Sequence, residues 1–383
     1  MVSHFFKTTQ AAVFCTLALA LALAGCARLG IGGPPDSVVH KEMVEFVQAH
    51  AEAGNFMGSA LVAQGDTILH SAGYGMANLE HGAPNTPETA FRLASLSKAF
   101  TAAAILQLQE QGRLDVNDTV DRHLPDYPHG GEITVHQLLN HTSGTPDYAD
   151  FTGHSPDFRN PVSLDELIAT FADLPLEFAP GSQFHYSSSG YALLAAIVEN
   201  VSGQRHADYL VERIFGPVGM AATGYDDSGA IVTGRAAGYA REGGAYRNAE
   251  FIDMSSTIGS GDVLSTVLDM HKWDRALYGD AVLGEDARAA YFAPTASMGE
   301  GARYAYGWAQ ATMGSRTYQM HGGGINGFST FVVRYPAEEL YVLVLSNVET
   351  EQAKATACDL AALYYGLPLS DRGDGVPACR AER

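Results

Sequence analysis

Cysteine is scarce in this sequence, four in 383 residues, and that scarcity excludes a disulfide-built scaffold. No two of the four stand at metal-ligand spacing, and the histidines add no ligand pattern. H-E-x-x-H is absent, and His136 and His141, five apart, do not share a helix face. Neither a metal nor a cofactor is expected. Basic residues are also few: 23 Lys and Arg stand against 43 Asp and Glu, a net charge of −20, with no basic cluster. Nucleic acid is therefore not an expected partner. The sequence has no G-x-S-x-G elbow and no phosphate-binding G-x-x-x-x-G-K-S/T loop, which removes two common enzyme architectures. "GGGING" (Gly322 to Gly327) has dinucleotide-fingerprint spacing, but a strand-like run follows it where a helix is required. Those glycines read as permitting close backbone approach in or beside a sheet. There is no internal repeat.

What is present is enough apolar material for a large core: 46% of the residues are hydrophobic. Near the start, Lys7 precedes the apolar run "AAVFCTLALALALAG", too short to span a bilayer, so residues 1–25 read as a signal peptide. "LAGC" (Leu23 to Cys26) resembles a bacterial lipobox, which implies cleavage before Cys26 and lipidation of its thiol. An ordinary secretory signal that happens to contain a cysteine is the alternative. Residues 26–37 read as a flexible tether. The expected location is the cell envelope, exported and lipid-anchored. Two states are open to Cys358: a disulfide with Cys379, or a free buried thiol.

The remaining pattern is helix, sheet, helices, sheet, helix. "DSVVHKEMVEFVQAHAEAG" has helical spacing at Val39, Met43, Phe46 and Val47. "FMGSALVA" and "TILHSAGYG" form a hairpin through "QGD", and "FSTFVVRYP" with "LYVLVLSNV" forms another. "EQAKATACDLAALYYG" closes the chain with a helix. Strands at both ends and helices between imply one sheet completed by distant segments, with a mostly helical lobe, residues 113–255, inserted in a domain spanning 38–366 and followed by a tail, 367–383. Tyr304, Tyr306 and Trp308 alternate as a strand would and read as sheet-face packing.

The chemistry-bearing stretch is "FRLASLSKAFTAAAI". A helix from about Ser95 to Gly112 places Ser95 and Lys98 at i and i+3, in contact range. A serine is a nucleophile only if a base takes its proton, and a lysine serves only when burial or nearby cations depress its pKa. Leu96, Phe100 and Ala102 supply apolar surroundings. Alone, the spacing fits a capped helix end equally well. Its companions decide: "FHYSSSGY" carries Tyr186 just before a helix, and "YQMHGGGING" places His321 and Gly323 on one face of a strand.

On these residues, with "VNDTVDRHLPDYP", "ITVHQLLNHTSGTPDY" and "GSGDVLSTVLDMHKWDRAL" in the same order, the chain resembles the serine β-lactamase and penicillin-binding protein superfamily. The resemblance is to its branch of class C β-lactamases, D,D-carboxypeptidases, D-aminopeptidases and family VIII esterases. It implies a β-lactamase/transpeptidase-like α/β fold, with an antiparallel sheet flanked by helices. Ser95 would be the acylated nucleophile, Lys98 its partner and Tyr186 the proton shuttle. His321 and Gly323 would border the substrate, and the N–H groups of Ser95 and Gly324 would form the oxyanion hole. "HTSG" (His141 to Gly144) reads as a helix stop and turn.

Two departures matter. Ser188 stands where the family carries the asparagine of Y-x-N, so contact with an acylamide side chain should weaken. His321 stands where K-T-G has lysine, so recognition of a substrate carboxylate should fade above about pH 6.5. The expected function is a serine hydrolase working through an acyl-enzyme on small amides or esters, carboxypeptidase- or esterase-like, with a small-molecule or peptidoglycan-related substrate. A β-lactamase, or a lipid-anchored binding or sensor protein without turnover, are the alternatives.

Overall fold

The structure is a computed structural model that describes residues 37–54, 56–149, 158–367, 369 and 379. The signal peptide, Cys26 and nearly all of the tether lie outside the described residues. Its frame is an eight-stranded antiparallel sheet. In chain order the strands are β1 (Gly58–Gln64), β2 (Thr67–Tyr74), β3 (Ala296–Gly299), β4 (Ala302–Tyr304), β5 (Ala309–Met313), β6 (Arg316–Ile325), β7 (Phe328–Tyr335) and β8 (Leu340–Ser346). In space they run β3-β4-β5-β6-β7-β8-β1-β2. Distant halves of the chain therefore close at the β8–β1 seam, where Leu61 faces Leu343 and Val62 faces Val342.

Both sheet faces are covered, which is why β8 reads "LYVLVLS", apolar almost throughout and buried throughout. Ala60, Val62, Val342 and Val344 pack with Met43 and Val47 of the helix Ser37–Glu52 and Leu360 of the helix Gln352–Tyr364. Alternate residues Leu61, Ala63, Leu343 and Leu345 join the other core, which contains Phe100 and Trp273. The period of two thus divides one strand between two cores. The helix Lys98–Glu110 runs through the second core with Phe100 and Ala102 to Leu106 fully buried.

Residues 113–255 hold the helices Val135–Leu139, Leu164–Ala169, Ser188–Ser202 and His206–Leu210, with short strands among them. Cys358 and Cys379 form a disulfide, Cα atoms 5.6 Å apart, which decides between the two states left open. Tyr304 ends β4, but Tyr306 and Trp308 do not continue it. Gly307, at φ +77°, turns the chain so that its backbone meets that of Ala99, where a Cβ would lie 2.8 Å from Ala99 Cα. All three aromatics are buried, through a turn rather than by strand alternation.

Candidate active site

The segment carrying Ser95 is not the start of a regular α-helix, contrary to the sequence expectation. Ala94–Ser97 form a 3₁₀ turn, and the α-helix begins at Lys98. Ala94 has φ +50°, an unfavourable conformation for a residue with a Cβ, immediately before Ser95. Neither serine caps the helix through its side chain. Ser97 Oγ instead accepts the Val263 N–H at 3.1 Å, while Ser95 Oγ stands 3.2 Å from Lys98 Nζ. The capped-end reading of this stretch is thereby excluded.

Strand β6 lies against that turn because residue 323 has no side chain. A Cβ on Gly323 would stand 2.5 Å from Leu93 O and 2.4 Å from Thr330 Oγ1, and Thr330 Oγ1 itself donates to Leu93 O at 2.9 Å. Gly324 follows, exposed, with open space where a Cβ would be. The absent side chains leave β6 free to border Ser95 with bare backbone.

Lys98 is fully buried. Its Nζ meets Ser95 Oγ, donates to Ser260 O at 3.0 Å, reaches Ser188 Oγ at 3.5 Å, and lies 4.8 Å from the centre of the Tyr186 ring. Burial lowers its pKa to about 7, against the opposing charges of Asp147 and Asp262. Near neutrality the amine is thus available as a base.

Tyr186 is half-buried as a residue, but its hydroxyl has no solvent access and completes no hydrogen bond among the described residues. Burial drives the phenol's pKa up, with the nearby Ser95 hydroxyl offsetting part of the rise. The phenol therefore keeps its proton. Its ring rests on His141, centroids 4.3 Å apart. His141, at φ +61°, accepts the Ser187 N–H through Nδ1 at 3.1 Å. Ser187 in turn caps the helix Ser188–Ser202 through the Gly190 N–H. So "HTSG" is a support as well as a turn: it fixes the loop that aims Tyr186.

His321 is buried in β6, and both of its ring nitrogens are engaged. Nδ1 is 2.7 Å from Gly322 O, a carbonyl that can only accept, so Nδ1 carries the proton. Nε2 therefore accepts from Tyr304 Oη at 2.9 Å. Burial, and then the charge of Lys98, lower its pKa to about 4. This corrects the expectation of titration near 6.5, since the sequence reading assumed a solvated imidazole. His321 is neutral at physiological pH and offers substrate no free donor.

The structure thus gathers Ser95, Lys98, Tyr186, Ser188, His321 and Gly323 into one cluster, with Gly324 beside Gly323. Sequence reasoning missed Tyr304, which orients His321, Tyr148, whose hydroxyl lies 3.1 Å from Ser260 Oγ, and the carboxylates of Asp147 and Asp262. The signal for Tyr148 and Asp147 was the "TPDY" that follows "HTSG". Among the described residues no group of His, Cys, Asp and Glu could hold a metal ion.

A family model described as Beta-lactamase matches residues 44–366. The chain belongs to the β-lactamase family. A penicillin-binding protein of Bacillus subtilis (strain 168) is 32% identical over 346 residues, 86% of this chain and 76% of that one. Among solved structures, a penicillin binding protein from Bacillus halodurans superposes with TM-score 0.72 at 28% identity, covering 82% of this chain and 96% of that one. The D-amino acid amidase from Ochrobactrum anthropi, complexed with D-phenylalanine, gives TM-score 0.75 at 22% identity, covering 86% and 98%, a likeness of fold alone. This member of the β-lactamase family therefore shares its α/β architecture with penicillin-binding and amidase proteins.

Proposed function

We propose that this chain is a serine hydrolase that forms an acyl-enzyme at Ser95 with small amide or ester substrates. The observation that carries the reading is the buried Lys98 amine 3.2 Å from Ser95 Oγ. Ser95 Oγ attacks the acyl carbon, and its proton passes to the unprotonated Lys98 amine. The carbonyl oxygen becomes an oxyanion, held by the N–H groups of Ser95 and Gly324. Tyr186, a phenol rather than a phenolate, donates to the departing amine or alcohol as the C–N or C–O bond breaks, and Lys98 returns its proton to the phenolate. Water then attacks the ester, giving its proton through the same groups, and Ser95 is regenerated with release of the acid.

His321 narrows the substrate. A ring whose one proton is spent on Gly322 O gives a leaving-group carboxylate nothing to bind, and the Lys98 ammonium form is committed to Ser260 O and Ser95. Uncharged esters and amides therefore rank above substrates with a terminal carboxylate, and above β-lactams. Ser188, in place of a longer amide, favours the same ranking. The full set of Ser95, Lys98 and Tyr186 supports turnover over a purely binding role. The disulfide Cys358–Cys379 supports export to an oxidising compartment, with lipid anchoring at Cys26 and a small-molecule or peptidoglycan-related substrate.

The test is intact-protein mass after mixing with a penicillin, beside a chromogenic short-chain ester assay, for the wild type and Ser95→Ala. Ester cleavage that disappears in Ser95→Ala is expected. Cleavage that survives the substitution overturns the reading.

A further inference from the structure

Lys98 has a buried acidic neighbour that the acyl-transfer steps leave unused. Asp262 is 1% exposed, and it belongs to the segment that clasps the base. Two residues earlier, Ser260 O accepts from Lys98 Nζ at 3.0 Å, and one residue later the Val263 N–H donates to Ser97 Oγ at 3.1 Å. Asp262 Oδ1 completes no hydrogen bond among the described residues. Oδ2 stands 3.6 Å from His206 Nδ1. A buried carboxylate so poorly satisfied is costly and calls for a reason to be kept.

His206 is held to face that carboxylate. Its backbone N–H donates to Glu199 Oε1 at 2.8 Å, and its Nε2 lies 3.0 Å from Thr101 Oγ1. Thr101 already donates its hydroxyl proton to Gly259 O at 2.7 Å, so Nε2 must be the donor to Thr101. A ring whose one proton sits on Nε2 offers Asp262 only a lone pair at Nδ1, so His206 gives that carboxylate no hydrogen bond. Thr101 follows Lys98 by three residues on the same helix, so this buried dyad abuts the helical turn that bears the base.

We propose that Asp262, on the segment whose Ser260 carbonyl holds the Lys98 amine, is a positioning residue whose buried negative charge acts on that amine. The inference rests on the acyl-enzyme reading above. The other charges that bear on Lys98 are accounted for. Asp147 acts on it in the same direction as Asp262, whereas burial keeps His141 and His321 neutral. The rings of Tyr186 and Tyr191 lie beside Nζ, and both phenols stay protonated. Asp262 also faces Tyr148 and Tyr225, whose phenols burial likewise keeps protonated. Its backbone carbonyl accepts the Asp226 N–H, and the carboxylate of Asp226 is neutralised by Arg92 and Arg235 at 2.7 and 2.6 Å.

The test is the pH profile of kcat/KM for a chromogenic short-chain ester, measured on the full-length protein and its variants. Asp262→Asn removes the charge that favours the ammonium form, so Lys98 gives up its proton at lower pH. The acid limb is expected to move down by on the order of one pH unit. Asp262→Ser, smaller and also uncharged, gives the same readout if the amide variant is not recovered folded. A purely structural role would lower activity at every pH and leave the limb in place, which overturns the proposal. Ser95→Ala, run alongside, separates the two readings. If it is inactive and the limb is unmoved, the charge role alone falls; if it retains hydrolysis, the acyl-enzyme reading falls and this inference with it.

Discussion

Tyr304 Oη stands 2.9 Å from His321 Nε2, and because Nδ1 is spent on Gly322 O, that contact turns a residue of the proposed substrate-binding edge into a neutral, fully occupied imidazole. The consequence is a specificity that does not titrate. With a pKa of about 4, His321 is uncharged throughout the range of ordinary assays. The kcat/KM ratio for a carboxylate-bearing substrate over its carboxamide analogue should therefore be flat from about pH 5.5 to about pH 8. A ratio that falls across about pH 6.5 would restore the solvated histidine of the sequence reading.

The absolute rate should titrate even though that ratio does not. Lys98, with its pKa lowered to about 7 by burial, is protonated below that value and cannot accept the Ser95 proton. The sign follows directly: kcat/KM for an uncharged ester rises with pH through about 7 and then levels. Lys98→Met keeps the buried volume and removes the base, and it should cost roughly 10²- to 10⁴-fold in kcat/KM. A variant within tenfold of wild type would reassign the base.

The two halves of the site differed in how far they could be read from sequence. Ser95 and Lys98 were legible because i, i+3 proximity is a local property that survives even when the turn proves to be 3₁₀. Tyr186, His321 and Gly323 needed the family's order of motifs. The two end hairpins were legible from alternation and turn residues. What was not legible is tertiary: Asp262 meets His206 across 56 residues, Tyr304 meets His321 from another strand, and burial decides which of these groups titrate. Tyr306 and Trp308 were misplaced for the same reason, because the break at Gly307 is required by the backbone of Ala99, two hundred residues away.

Ser188 should limit acylation by β-lactams. Its Oγ reaches Lys98 Nζ only at 3.5 Å, and a hydroxyl has a shorter reach than the amide the family carries there. Ser188→Asn supplies a donor and an acceptor on a longer arm. The expected gain in the acylation rate with penicillin, followed by intact mass, is about tenfold, one well-formed hydrogen bond's worth. An unchanged rate would show that His321, not Ser188, excludes these substrates.

Gly323 is the position at which fold and chemistry meet most tightly. A methyl group there would stand 2.5 Å from Leu93 O and 2.4 Å from Thr330 Oγ1, inside van der Waals contact on both sides, so β6 must move away from the 3₁₀ turn. Overpacking of this kind costs about 1–3 kcal/mol, and Gly323→Ala should lower the thermal midpoint accordingly. The larger effect falls on rate, because displacing β6 would move the Gly324 N–H, the proposed oxyanion donor, and a lost oxyanion donor costs about 10²- to 10³-fold in kcat. Gly322→Ala is the internal control: its Cβ would stand nearest the edge of the Phe331 ring, at 3.3 Å, a neighbour that can give way, with Thr330 O at an ordinary 3.9 Å. If the two variants lose rate equally, the close approach at Gly323 is not what positions the oxyanion donors.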